Sequence, residues 1–150
     1  MARTTPAHSD DSALEFIRLL WKVDHELHSV SKRMISRFGL TAPQRLAVRF
    51  IGREPGLTLG ELAALLHLDP GTVTGIVQRL ESAALVERER GEGDTRRIHL
   101  ALTAKGQALN RRRKGTVEAA VRRTLDSLRR VDSAAAARVL QRLAAELSDE

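Results

Sequence analysis

The side chains best placed to do chemistry fall in two short clusters. The first is Asp69-Pro-Gly-Thr-Val-Thr-Gly-Ile-Val-Gln-Arg79. On a helical wheel Gly71, Thr72, Thr74, Gly75, Gln78 and Arg79 face one way, and Val73, Ile76, Val77 and Leu80 the other. The polar side offers two hydroxyls, an amide and a guanidinium, with no nucleophile paired to a base. The second cluster is Gly91-Glu-Gly-Asp-Thr-Arg-Arg97. Two residues apart at a tight turn, the Asp94 carboxylate and the Arg96 guanidinium can form a fork that pre-orders the arginine. Both clusters suit recognition of a partner rather than bond-making. No Gly-rich phosphate loop, nucleophile elbow or paired-carboxylate motif accompanies them, so an enzyme is not expected. The absence of cysteine removes disulfides, thiolate metal sites and thiol-based redox sensing. No cofactor is implied.

The elements that must hold these clusters can be read from periodicity and caps. Residues 1–10 are polar, contain Pro6 and suggest a frayed tail. From 11 to 38 the residues Leu14, Ile17, Leu20, Trp21, Leu27, Val30 and Met34 recur at mostly helical spacing, ending at Gly39. So long a helix at the start of a small protein has little of its own domain to cover, which suits packing against a second copy. Thr41-Ala-Pro43 opens a second helix. Thr58-Leu-Gly-Glu61 is a capping box for a short helix through Leu66, and Asp69-Pro70 caps and opens the next, to about Ala83. So short a connection forces a sharp crossing, as in a helix-turn-helix. After Ala84 the period falls to about two. Val86–Arg90 and Ile98–Leu102 then form a hairpin around the charged tip. Thr103 caps a long helix expected to run to about Val131, and Asp132-Ser133 restarts a last one. The organisation is a tail (1–10), an N-terminal helix (11–38), a reading module (40–105) and C-terminal helices (106–148). The fold class is mainly α with a small β-hairpin.

Hydrophobic residues make up 42% of the 150, with three Phe, one Trp and no Tyr, so the core must be aliphatic. The net charge of +6 favours a polyanionic partner, nucleic acid or an anionic membrane surface. No apolar run approaches the roughly 18 residues of a membrane span, and the N-terminus lacks a signal-peptide core, so a cytoplasmic protein is expected. The positive excess does not sit on the reading elements. From Thr58 to Leu85 the charges are Glu61, Asp69, Arg79 and Glu81, and from Val86 to Arg97 four arginines meet four acids. The excess lies instead on Arg45, Arg49 and Arg53 and around Arg111-Arg-Arg-Lys114. These residues either line a nucleic-acid backbone or form ordinary solvated helix surface.

In this order and spacing Leu40-Thr-Ala-Pro-Gln-Arg-Leu, Leu59-Gly-Glu-Leu-Ala, Leu68-Asp-Pro-Gly-Thr-Val-Thr, Arg79-Leu-Glu, Leu85-Val-Glu-Arg, Asp94-Thr-Arg-Arg and Leu102-Thr-Ala-Lys-Gly resemble the MarR (multiple antibiotic resistance repressor) family. The match covers residues 40–106; outside it the likeness is one of architecture. The resemblance implies a winged helix-turn-helix flanked by N- and C-terminal dimerisation helices. It also implies a homodimer on a pseudo-palindromic operator in double-stranded DNA, usually repressing, and often released by a small aromatic ligand. The helix from Pro70 would enter the major groove. Thr72 and Thr74 would meet phosphates or base edges, Gln78 would pair with adenine, and Arg79 would hold a phosphate or guanine. Thr58 stands at the N-terminus of the bracing helix, where a phosphate is favoured. In the family the arginine matching Arg96 enters the minor groove, held by the aspartate matching Asp94, with Arg88, Arg90 and Arg97 as phosphate contacts. The plain alternative for each is a solvated polar surface.

Two positions depart from the family pattern. Gly75 stands where a long polar residue is common, and weakens its helix by about 1 kcal/mol relative to Ala. Ala84 stands where Gly is usual; a left-handed backbone there would cost it roughly 1 kcal/mol. Trp21, Asp24 and His28 lie close together on the first helix and could line the family's ligand cleft, or form a boundary hydrogen-bond cluster. His25 and His28, three apart beside Asp24 and Glu26, leave a zinc-responsive regulator as a further alternative. A rival of another class is a winged helix kept as a protein-interaction or dimerisation module, to which Gly75 and the acidic reading helix lend support.

Overall fold

The structure is a computed structural model and describes residues 10–90 and 98–149. The helices are α1 (Asp10–Phe38), α2 (Ala42–Arg53), α3 (Leu59–Leu66), α4 (Pro70–Ser82), α5 (Ala104–Arg111), α6 (Val117–Asp126) and α7 (Arg130–Ser148). Two strands, β1 (Val86–Arg90) and β2 (Ile98–Leu102), stand between α4 and α5. The chain divides into two compact units, Met1–Arg112 and Arg113–Glu150.

The first unit is built on capped helices. Thr41 and Thr58 each close a capping box, with Gln44 and Glu61 as the returning side chains. Asp69 caps α4, accepting from the Thr72 amide at 2.8 Å. With the orphan N–H groups at these helix starts met locally, short helices can form and pack. Their inner faces make one aliphatic core: Ala47, Val48 and Ile51 from α2, Leu62 and Ala63 from α3, and Val73, Ile76, Val77 and Leu80 from α4. Leu85, Val86 and Leu100 complete it. Each buried Leu, Ile or Val is worth about 1.5–3 kcal/mol of transfer free energy. β1 and β2 pair antiparallel, with Val86 opposite Leu102, Arg88 opposite Leu100 and Arg90 opposite Ile98. The Leu100 amide also donates to Leu57 O at 2.7 Å, which ties the hairpin to the α2–α3 loop.

Most expected elements are present, and four boundaries differ. Asp10 is already helical, and the rest of the expected tail, 1–9, lies outside the described residues. α4 ends at Ser82, with Ala83 as its C-cap. The long helix expected from Thr103 to Val131 is broken: α5 stops at Arg111, Gly115 is left-handed at φ 83°, and Thr116 caps α6 through the Ala119 amide. A left-handed glycine followed by a capping threonine is a stop and a start in succession. The last helix opens at Arg130 rather than Asp132; Asp132 is instead gripped by Arg129, Nε donating to Oδ2 at 2.8 Å.

Apolar surface remains uncovered in both units. In α1 only Met34 is buried, while Leu14, Ile17, Leu19, Trp21 and Val23 are exposed. Neither α6 nor α7 has a buried residue; Val121, Leu125, Val131, Leu140 and Leu147 are exposed.

Candidate nucleic-acid interface

The turn between α3 and α4 is three residues long because His67 adopts a left-handed conformation, φ 51° and ψ 43°. That reversal lets the amides of His67 and Leu68 close back on Ala64 O and Ala63 O. Asp69 then starts α4 at once. The inner stripe of α4 is buried, so the opposite side must face outward. Gly71, Thr72, Gln78 and Arg79 are exposed there, with Thr74 and Gly75 half-buried beside them. A Cβ added at Gly75 would meet nothing within 4 Å, so this position is an open notch.

The hydroxyls on this face are already engaged. Thr72 Oγ1 donates to the Asp69 carboxylate, and Thr74 Oγ1 donates to Pro70 O at 2.8 Å. Their lone pairs and methyl groups remain to meet a partner. Thr72 also holds the Asp69 carboxyl below its ordinary value, chiefly through its hydroxyl and next through its amide. Thr58 is likewise bound into its cap: its hydroxyl donates to Glu61 Oε2 at 2.9 Å and accepts from the Glu61 amide.

On β1 the Arg88 guanidinium is held by Glu81 of α4, Nε to Oε1 at 2.9 Å and Nη2 to Oε2 at 3.3 Å, so a strand arginine is fastened to the end of the outward-facing helix. Arg90 is exposed where the described part of β1 ends. Asp94, Arg96 and Arg97 lie outside the described residues. Trp21, Asp24 and His28 are all exposed on α1, with His28 Nδ1 2.9 Å from Asp24 O. Among the described residues no group of three or more His, Cys, Asp or Glu could hold a metal ion.

The second helix corrects both readings for Arg45, whereas Arg53 is exposed surface. Arg45 is neither a backbone contact nor solvated surface. It is 1% exposed, and its guanidinium donates to Leu109 O (2.7 Å), Asn110 O (3.2 Å) and Arg112 O (2.6 Å) at the end of α5. Arg49 Nη1 donates to Asn110 Oδ1 at 2.6 Å. Arg53 pairs with Glu54 and lies over the Phe50 ring. A helix C-terminus carries unsatisfied carbonyls and negative potential, and a buried guanidinium answers both. No local sequence signal marks Arg45, because its acceptors lie more than sixty residues away.

Two helices at a three-residue turn, the second capped and polar on its outer side, with an antiparallel hairpin fastened beside it, make a winged helix-turn-helix. That is the architecture of a DNA-reading unit. A family model described as "MarR family" matches residues 38–97. The HTH-type transcriptional repressor Rv2887 of Mycobacterium tuberculosis is 30% identical over 138 residues, 92% of this chain and 98% of that protein. Among solved structures, Streptococcus pneumoniae FabT in complex with DNA superposes with a TM-score of 0.71 at 26% identity, covering 91% of this chain and 98% of that one. The PcaV transcriptional regulator of Streptomyces coelicolor, in complex with its natural ligand, gives 0.69 at 25% identity, covering 93% and 97%. The chain belongs to the MarR family. It is a transcriptional regulator and not an enzyme.

Proposed function

We propose that the protein is a homodimeric repressor that binds a pseudo-palindromic operator in double-stranded DNA. In this reading α4 enters the major groove, and Gly71, Thr72, Thr74, Gln78 and Arg79 meet base edges and phosphates there. Thr58 brings the start of α3 toward a phosphate. Arg88, Arg90 and Arg97 contact backbone, and Arg96, oriented by Asp94, enters the adjacent minor groove. The observation that carries the reading is the exposed polar side of α4, set opposite a fully buried aliphatic stripe on a helix fixed by a tight turn. The uncovered apolar faces of α1, α6 and α7 support a dimer, since monomers rarely leave large contiguous apolar surface in water.

Release by a small aromatic acid is supported by a cavity of about 440 Å³ in the first unit, where Phe38, Leu40, Leu85 and Leu109 stand beside Lys105 and Arg112. That lining suits an apolar ring carrying an anionic group. Trp21, Asp24 and His28 would join a ligand site only when a second copy covers α1. A metal-sensing role has no supporting observation among the described residues.

The test is a titration of the purified protein against its own upstream intergenic DNA and a scrambled duplex at two salt concentrations. The expected result is tight binding that prefers the native sequence and weakens steeply with salt, because phosphate contacts release counterions. Equal affinity for both duplexes would remove sequence specificity. No binding at either salt would favour the protein-interaction module.

A further inference from the structure

We infer that Arg45 is a positioning residue for operator recognition: it locks the far end of α5, and so fixes the point and direction in which the chain leaves the reading unit. The inference rests on the two-copy operator reading above.

α5 is fastened at both ends. At its start Thr103 Oγ1 donates to Ala84 O at 2.7 Å, Lys105 Nζ to Ala83 O at 2.8 Å, and the Thr103 amide to Leu85 O at 3.2 Å. These acceptors form the C-cap of α4 and the two residues directly after it, so the start of α5 is tied to the end of the groove-facing helix. At its other end the helix stops after Arg111, and the last carbonyls lose their helical partners. Arg45 supplies replacements from α2, which packs through Ala47, Val48 and Ile51 into the same core as α4. One of its acceptors, Arg112 O, lies beyond the helix, on a residue with extended backbone (φ −74°, ψ 116°). The side chain of Arg112 lies over the Phe38 ring at 4.8 Å. Arg112 is the last residue of the first compact unit.

A buried charge is a poor way to gain stability alone, since an apolar side chain of similar volume often serves as well. What the guanidinium adds is direction. Its planar fork of five N–H groups holds several carbonyls in a fixed relation, which a lysine ammonium or an apolar chain does not. Direction matters to a two-headed reader, because two recognition helices must meet grooves about 34 Å apart.

The experiment uses the full chain, as wild type, Arg45→Met, Arg45→Lys and Arg49→Gln. The probes are a palindromic duplex selected from a random library by the wild type, the same duplex with one base pair inserted or removed between its halves, and a duplex with one half. Wild type should lose at least tenfold in affinity when the spacing changes. Arg45→Met should bind the single half within about twofold of wild type and the full site at least tenfold more weakly, with the spacing penalty reduced to threefold or less. Arg45→Lys should fall between, and Arg49→Gln should stay near wild type. If Arg45→Met proves unfolded by circular dichroism, the lysine variant carries the comparison. Parallel loss on half and full sites with the spacing penalty intact would reduce Arg45 to a fold stabiliser and overturn the inference, as would unchanged binding. A wild type blind to spacing would defeat the two-copy reading itself, in an arm that contains no variant.

Discussion

Gly106 and Gly75 both sit within helices, and replacing either with alanine should have opposite effects. Helix propensity alone favours Ala over Gly by up to about 1 kcal/mol at each. At Gly106 a Cβ would lie 2.0 Å from Leu85 O and 3.0 Å from Leu85 C, backbone atoms that no rotamer change can move. Real Cβ atoms essentially never approach closer than 3.0 Å, so α5 must retreat by about 1 Å. That retreat stretches the Thr103 amide bond to Leu85 O, already 3.2 Å, beyond hydrogen-bonding range. Overpacking costs about 1–3 kcal/mol and the lost bond about 1 kcal/mol. Against the full helix gain, Gly106→Ala should destabilise by about 1–3 kcal/mol, or roughly 2–12 °C in Tm for a chain of this length. Gly75→Ala meets open space and should stabilise by up to about 1 kcal/mol, or roughly 2–4 °C. Urea and thermal unfolding read both, at one fixed protein concentration so that self-association does not shift the midpoint between variants. If Gly106→Ala were as stable as wild type, the close approach of α5 to Leu85 would be wrong, and the clamp at the start of α5 with it.

Ala84 has φ 55°, where glycine is unstrained, so Ala84→Gly should raise stability by about 1 kcal/mol in urea unfolding without altering DNA affinity. Because Thr72 holds the Asp69 carboxyl below its ordinary value of 3.8, Asp69 contributes its full stability above that value and loses it as pH falls through the lower folded value. The stability gap between wild type and Asp69→Asn should therefore be constant above about pH 5 and shrink below pH 4; a gap that grew on acidification would contradict the cap geometry. Leu14→Asp on α1 and Leu140→Asp on α7 should each weaken self-association at least tenfold by light scattering, whereas unchanged association would place the dimer face elsewhere.

What the residues disclosed in advance was mostly local. Thr58 with Glu61, Asp69 with Pro70, and the aliphatic stripe of α4 fix helix starts and the inner face within a few residues. The left-handed backbone at Ala84 is hinted at only by the glycine usual there in the family that the sequence resembles. The break in the long C-terminal helix was legible in principle from Gly115-Thr116. A sparse apolar stripe that continues in helical spacing on both sides of the basic run masks it. Arg45 and Arg88 could not be placed from neighbours in sequence. The acceptors of Arg45 are set by where α5 ends, and the Glu81 partner of Arg88 is reached only when the chain folds back after Ala84. From sequence Arg45 reads as surplus charge and Arg88 as a phosphate contact; only tertiary structure supplies their partners.

The single tryptophan of the chain stands on the outer side of α1, 71% exposed, while the winged helix is packed from aliphatic side chains. The protein therefore carries an emission reporter on one face and a core that is nearly dark. Burial of α1 against another copy should shift Trp21 emission to shorter wavelength. Melting of the reading unit would leave that emission little changed and appear instead in helical circular dichroism. The two signals need not coincide on dilution or heating, and the gap between them would separate dissociation from unfolding without any label.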